Sequence, residues 1–331
     1  MPEQPTGLRA GIDLGGTKMQ AIVVDADEHV LGQARLPTPT TGGPADVIAS
    51  LATSVTGACE DAGVDPHRLA GIGLGSPGAI DERAGTVADA RNLPNWPAEP
   101  VPMAALLADA LGADAGRLRV VLGNDVDVAT NAEFVLGAAR RFSSLLGVFW
   151  GTGVGGGIVL DGRQWNGRGS AGEIGHVVVI QGGRTCPCGR EGCMEAYAGR
   201  AAMERRARHL HEEKGRRTKL FQIMEERGRD RLTSGIWSRA LEHEDELAIE
   251  LVDEAIAAIG TAAASAVNLL DPEAVVIGGG LGVRFGEDGV ARIRAAMLPH
   301  LFRDDEPPAI LLAGLGDLGG ALGAALLLHE R

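Results

Sequence analysis

The chain has 331 residues, 45% hydrophobic and 23% charged, with a net charge of −13, 49 glycines and four cysteines. That length holds two domains, each with its own core, and the acidic balance excludes long-range attraction to nucleic acid or an anionic membrane. Three of the four cysteines fall in one motif, which is no disulfide framework and fits a reducing cytoplasm.

The first residues, Met-Pro-Glu-Gln-Pro, have neither a basic n-region nor an apolar h-region, so no secretory signal is expected. Residues 8–12 read as an apolar strand running into Asp13-Leu-Gly-Gly-Thr-Lys18, and the apolar run 19–24 follows directly. Two strands joined by a glycine turn make a hairpin. Residues 47–62 read as an amphipathic helix, with Cys59 a small core residue. The strand 69–74 ends in Gly75-Ser-Pro-Gly78, and Asn92 lies in a proline-flanked loop. A helix over 103–111 precedes the strand 118–122, which ends in Gly123-Asn124-Asp125, and residues 126–136 read as a helix.

The opening pattern then recurs: strand 145–150, glycine loop 151–157, strand 158–160 and Asp161-Gly162. Each half of the chain opens on a hairpin bearing a glycine loop, the mark of an internal duplication. Further on, 194–211 and 244–270 read as helices, 274–277 as a buried strand entering Gly278-Gly279-Gly280, and 319–329 as a helix of small residues suited to close packing. The run 255–270 is too short and too mixed to span a bilayer. The basic stretch 200–231 is interleaved with glutamates and reads as a solvated helical face. Residues 212–243 fit a lid, a subunit contact or a peripheral helical hairpin. Strands alternating with helices give an α/β architecture.

The first glycine loop has neither P-loop nor Gly-x-Gly-x-x-Gly spacing. Free backbone N–H groups at Gly15 and Gly16, the Thr17 hydroxyl and the Lys18 ammonium suit phosphate oxygens, and Asp13 suits magnesium, directly or through water. A plain hairpin turn is the bland alternative. Loops at 151–157 and 278–280 tip the balance, because three glycine loops at strand ends serve the length of a nucleotide triphosphate. Asp125, at a strand's carboxyl end, suits catalysis in an open α/β sheet and equally suits an N-cap. Asn92 suits a hydroxyl-rich ligand or an Asx turn.

His176, Cys186, Cys188 and Cys193 form the N/S donor set of a closed tetrahedral zinc site. Four protein ligands leave no position for a catalytic water, so the metal is structural. Glu173, three residues before His176, and Glu195, starting a helix after the last cysteine, are then held to accept hydroxyls of a polar ligand. Solvated surface glutamates are the alternative.

Together, Asp-Leu-Gly-Gly-Thr-Lys at 13–18, Gly-Ser-Pro-Gly at 75–78, Asn-Asp at 124–125, Gly-Thr-Gly-Val-Gly-Gly-Gly at 151–157 and Gly-Glu-Ile-Gly-His with the cysteine cluster at 172–193 resemble the ROK family of sugar kinases and sugar-responsive repressors. Within it the chain looks most similar to the ATP-dependent glucokinases. The resemblance implies a duplicated actin/hexokinase-like (ribonuclease H-like) α/β fold with an interdomain active-site cleft, a small domain over 1–122 plus 315–331 and a large one over 123–314. It implies that Asp125 takes the proton from the 6-hydroxyl of glucose, with Gly78, Asn92, Asn124, Glu173, His176 and Glu195 binding the sugar. It further implies ATP and magnesium on Asp13, Gly15, Gly16, Thr17, Lys18, Gly151, Thr152, Gly153, Gly279, Gly280 and Leu281, structural zinc, and a homodimer or homotetramer.

The chain departs from the family pattern at two places. Asp127 replaces a frequent asparagine, and is expected to point away from Asp125. Arg91 stands where a proline commonly precedes the sugar-binding asparagine. Other ROK kinases, acting on N-acetylglucosamine, N-acetylmannosamine, fructose or allose, are the nearest alternatives. A repressor is disfavoured by the acidic charge and by the few residues ahead of the first strand. No Lys/Arg-rich run offers a polyphosphate track, which favours ATP.

Overall fold

The computed structural model describes residues 7–112 and 118–329; residues 1–6, read above for a targeting signal, lie outside the described residues, as do the last two of the predicted C-terminal domain segment. The chain divides into two compact units, residues 1–137 with 317–331, and residues 138–316.

In the first unit, β1 (Arg9–Leu14), β2 (Lys18–Val24) and β3 (Val30–Pro37) form an antiparallel meander. Helix α1 (Pro44–Ala62) follows; Asp46 accepts the Gly43 N–H at 3.0 Å to start it, and Gly63 ends it at φ 66. Next come β4 (Gly71–Ser76), the small hairpin β5 (Ala79–Asp81) and β6 (Thr86–Ala88), α2 (Met103–Ala110), β7 (Arg119–Asn124) and α3 (Asp125–Val135). The five-stranded sheet has the order β3-β2-β1-β4-β7, with β1, β4 and β7 parallel. Register places Asp13 opposite Gly75 and Ser76 opposite Asn124. The parallel strands therefore empty at one end of the sheet, the place where open α/β sheets put their chemistry.

The second unit repeats the plan. Strands β8 (Leu145–Trp150), β9 (Val154–Leu160) and β10 (Arg163–Gln164) are antiparallel. After them come α4 (Glu195–Ala198), α5 (Arg200–Arg208), α6 (Leu220–Glu226), α7 (Ser234–Glu242), α8 (Glu246–Leu270), β11 (Ala274–Gly278), α9 (Gly279–Met297) and β12 (Ala309–Leu312). The sheet order is β10-β9-β8-β11-β12, with β8, β11 and β12 parallel. Strand for strand this matches the first sheet, so the duplication read from the two glycine hairpins is a duplication of topology.

The chain then returns to the first unit as α10 (Gly319–Leu326). Small residues let it lie on the sheet: a methyl at Gly73 would overlap the Ala324 carbonyl, and one at Gly323 the Val128 carbonyl of α3. The core of each unit is otherwise aliphatic, with Trp150 and Trp237 the largest fully buried side chains of the second.

Several predicted elements change. The helix expected over 194–211 is interrupted at Gly199 (ψ 129) and ends in a wider turn at His209–Glu213. Gly199 is crowded, since a methyl there would sit 2.9 Å from the Glu195 carbonyl. Residues 212–243 hold α6 and α7, whose Leu220, Ile223, Ile236 and Trp237 are buried in the same core as α8. Gly278–Gly280 is no loop, but a strand passing directly into α9 through Gly279 at φ +78. Among the described residues, no helix is long and apolar enough to cross a membrane.

Candidate active site

In the first unit the turn between β1 and β2 carries Gly15, Gly16 and Thr17. The expectation of a free Gly15 N–H is corrected: it donates to Lys18 O at 3.0 Å and closes the turn. The Thr38 hydroxyl donates to Gly15 O at 2.6 Å, so that carbonyl is occupied too. What remains for a ligand is the Gly16 N–H, which has no acceptor among the described residues, and the exposed Thr17 hydroxyl. Asn92 lies directly beside Gly16, whose added Cβ would be 3.0 Å from the Asn92 Cβ. The loop before Asn92 is set by an Arg91–Asp89 ion pair at 3.0 Å. Gly78, at φ +102, turns the chain after β4 where a Cβ would meet Ala88 O at 2.6 Å.

Asn124 is the N-cap of α3: its Oδ1 accepts from Val126 N at 2.9 Å and from Asp127 N at 3.2 Å. Asp125 is therefore the first helical residue rather than the N-cap, and its own Oδ1 accepts from Val126 N at 3.0 Å. The Asn124 amide nitrogen has no partner among the described residues and stays available to a ligand.

Burial pushes Asp125 up to about 7; the Asp13 charge adds to this, and the Val126 N–H opposes it. Asp127 adds a smaller push in the same upward direction. Burial likewise raises Asp13 to about 6 against the attraction of Lys18. Two desolvated carboxylates that repel one another are the environment of a general base with a near-neutral pKa.

Two features here were missed. Lys18 Nζ donates to Asp317 at 3.0 Å, and Arg35 reaches the other oxygen of that carboxylate at 3.3 Å. Gly320 at the start of α10 abuts Asp13, where a Cβ would be 2.7 Å from its Cγ. These contacts span about three hundred residues, and no local pattern announces them.

In the second unit the β8–β9 turn closes in the same way, Gly151 N donating to Gly153 O at 2.9 Å. The Gly279–Gly280 junction lies against it, the Gly280 N–H 4.0 Å from a Cβ built on Gly151, and Leu281 is fully buried behind it. The turn and the helix start thus present backbone donors as a pair.

The donor atoms of His176, Cys186, Cys188 and Cys193 all lie within 4.8 Å of one another. Cys188 Sγ is 3.7 Å from Cys193 Sγ, and Cys186 Sγ is 3.8 Å from His176 Nδ1. Zn–S bonds of about 2.3 Å in a tetrahedron put ligand atoms roughly 3.8 Å apart, so the set fits zinc. Burial pushes the Cys186 thiol up to about 12, so a thiolate there needs a cation beside it. His176 turns its other nitrogen, Nε2, toward Glu173 at 3.8 Å. A carboxylate behind a ligating imidazole fixes its orientation.

Glu195 is tied down more firmly than expected. Its Oε2 accepts from Val154 N at 2.9 Å, and its Oε1 is 3.9 Å from Cys186 Sγ. It stands between the cysteine cluster and the glycine turn. The cysteine loop is anchored in turn by Arg184, which lies over the Tyr197 ring at 4.7 Å and pairs with Glu254 on α8 at 2.7 Å.

A doubled sheet of this topology, each copy opening on a glycine hairpin, with a near-neutral carboxylate beside one of them, defines the actin/hexokinase-like class of ATP-dependent phosphotransferases. The chain belongs to the ROK family, whose sequence model matches residues 9–331. It is 31% identical to the glucokinase of Streptomyces coelicolor, covering 98% of each chain. Among solved structures it is similar to a ROK family glucokinase from Streptomyces griseus in complex with glucose and AMPPNP (TM-score 0.81, 31% identity, 97% and 99% of the two chains). It is also similar to the ROK hexokinase of Thermus thermophilus (TM-score 0.75, 36% identity, 96% and 97%).

Proposed function

We propose that this protein transfers the γ-phosphoryl group of ATP to the 6-hydroxyl of glucose, with Asp125 as the general base. The observation that carries the reading is Asp125 itself: a desolvated carboxylate raised to about 7, at the carboxyl end of the sheet, in the unit that holds the Gly16–Lys18 turn. A base with that pKa is ionised in useful proportion at neutral pH, yet basic enough to take a hydroxyl proton as the bond to phosphorus forms.

Phosphoryl transfer asks the protein mainly to position groups and stabilise charge. The Gly16 N–H, the Thr17 hydroxyl and Lys18 orient phosphate oxygens in the first unit, and the Thr152 and Gly153 N–H groups do so in the second. Asp13 would hold magnesium, directly or through water, which supplies charge neutralisation at the transferring phosphate. Glu173 accepts a sugar hydroxyl, while the His176 Nε2–H and the Asn124 amide nitrogen donate to others. The zinc set would keep His176 and Glu195 in place, as a structural metal. The same reading carries a cytoplasmic homodimer or homotetramer.

A coupled assay across a panel of sugars, with ATP and polyphosphate as donors, tests this. Glucose with ATP is expected to give the highest kcat/KM. A higher value for N-acetylglucosamine, N-acetylmannosamine, fructose or allose would replace the substrate, and transfer only from polyphosphate would replace the donor.

A further inference from the structure

The segment that follows the last cysteine is bolted to the glycine turn of the second unit. Trp150 Nε1 donates to Ala198 O at 2.6 Å, Arg200 N to Gly151 O at 3.1 Å, and Ala201 N to Thr152 O at 3.0 Å. To these backbone ties Arg200 adds its side chain. Nη2 donates to Thr152 Oγ1 at 2.8 Å, and Nη1 donates to Leu232 O at 2.9 Å. Leu232 is itself fixed, its N–H donating to Glu204 Oε2 at 2.9 Å. The guanidinium is a fork with one arm on the glycine turn and the other on the chain just ahead of α7.

The chemistry of that fork is unusual. Arg200 is half-buried, and burial pulls its pKa down against the attraction of Glu204. Arginine nevertheless stays protonated in proteins. Its two hydrogen-bond acceptors, a hydroxyl and a carbonyl, are neutral, and among the described residues it makes no ion pair within 4.0 Å. A partly desolvated cation without a bonded anion is costly to keep.

The consequence for Thr152 is specific. Its hydroxyl oxygen accepts from Arg200, so its own hydrogen must be donated elsewhere, and no acceptor for it exists among the described residues. A hydroxyl that accepts from a cation is also polarised into a better donor. The turn therefore presents the Thr152 O–H and the unpaired Thr152 and Gly153 N–H groups, with a positive charge standing behind them. That arrangement matches a phosphate oxygen.

We propose that Arg200 is a positioning residue for the nucleotide: it aims the Thr152 hydroxyl at a phosphate of ATP and supplies the charge behind it. This rests on the kinase reading above and adds a residue outside every glycine motif. The Thr152 O–H is the point of contact with phosphate, while its oxygen accepts from Arg200, which itself need not touch substrate.

Calorimetric binding of ADP and of glucose, together with zinc content and Tm, tests it on the full chain as wild type, Arg200→Ala, Arg200→Lys, Thr152→Val and the double variant Arg200→Ala/Thr152→Val. Arg200→Ala is expected to weaken ADP by about 10-fold, the worth of one hydrogen bond to a charged group. Glucose affinity should stay within about 2-fold and zinc content should be unchanged, the usual outcome away from a site. Arg200→Lys should recover part of the ADP affinity, because it keeps the charge and loses the fork. The double variant should be little worse than either single change, since both remove one interaction.

Unchanged ADP affinity in a folded Arg200→Ala protein overturns the proposal. So does a parallel loss of ADP, glucose and zinc, which would make Arg200 a structural brace. If Arg200→Ala does not fold, Thr152→Val decides: full ADP affinity there overturns the proposal. A wild-type chain that binds glucose but no ADP overturns the nucleotide reading beneath it, a result distinct from all of these.

Discussion

The two units share one sheet topology and one kind of opening turn, yet the turns hold opposite chemistry. In the first, the turn sits beside Asp13 and Asp125, both raised by burial, Asp125 further by the Asp13 charge and Asp13 by that of Asp317, which also holds the turn's lysine. In the second, a carboxylate at the turn, Glu195, is spent on the Val154 N–H. What backs the turn there is a cation, Arg200, and a cysteine cluster. The duplicated scaffold thus backs one turn with desolvated carboxylates and the other with a cation. The difference lies in what packs behind each turn: α10 in one, the segment after the cysteines in the other.

The sharpest way to break that division is Asp125→Asn. Turnover should fall on the order of 10²–10⁴-fold with glucose binding largely kept. Near-normal kcat in a rapid-quench or coupled assay would remove Asp125 from the base role and leave the first unit with no proton acceptor.

Next in size is the metal. Cys188→Ser should lose zinc by elemental analysis, lower Tm and weaken glucose about 10–100-fold through His176, Glu173 and Glu195. Glucose affinity that survives the loss would confine the cluster to stability.

The seam between α10 and the first sheet depends on glycines that leave no room for a methyl. Gly73→Ala would overlap the Ala324 carbonyl and should cost about 1–3 kcal/mol in chemical denaturation. Gly151→Ala, with no neighbour nearer than 3.9 Å, should leave stability within about 0.5 kcal/mol. Equal losses would mean that the contact of α10 with β4 is no tighter than the surroundings of Gly151.

The smallest effect is in pH. Asp125 must be ionised to act, so kcat/KM should fall as pH drops below about 7, and Asp127→Asn should move that limb slightly lower. The sign for stability is the reverse. Because the folded pKa is raised, the stability tied to a protonated Asp125 is complete below about pH 4 and lost as pH rises through 7. Asp125→Asn should therefore gain Tm over wild type at pH 8 and not at pH 4. A gain of equal size at both would show that Asp125 is not desolvated.

Much of this was legible in the sequence because it is local. The two hairpins, the strand before Asp125 and the donor set at 176–193 are each written within a short run. Misreadings arose where a local signal had two geometric outcomes. Gly278–Gly280 looked like a loop, but glycine only permits φ +78 at Gly279, and a helix can start there as well as a turn. Residues 194–211 carry helical periodicity, and the interruption at Gly199 is visible only in the fold, where Arg200 N and Ala201 N donate to Gly151 O and Thr152 O of the glycine turn instead of back along the helix. Gly15 was read as a free donor because a sequence does not reveal which turn N–H groups close the turn itself.

By itself, then, the sequence determined the duplication, the position of Asp125 at a strand end and the grouping of His176 with three cysteines, since each depends on residue type at short spacing. Tertiary structure decided the energetics of those groups. It returned α10 to the first sheet beside Asp13 and brought Asp317 to Lys18 from 299 residues away. It also set Arg200 behind Thr152 across 48 residues. Desolvation, charge repulsion and the aim of a hydroxyl depend on what the folded chain packs alongside, which spacing along the chain does not encode.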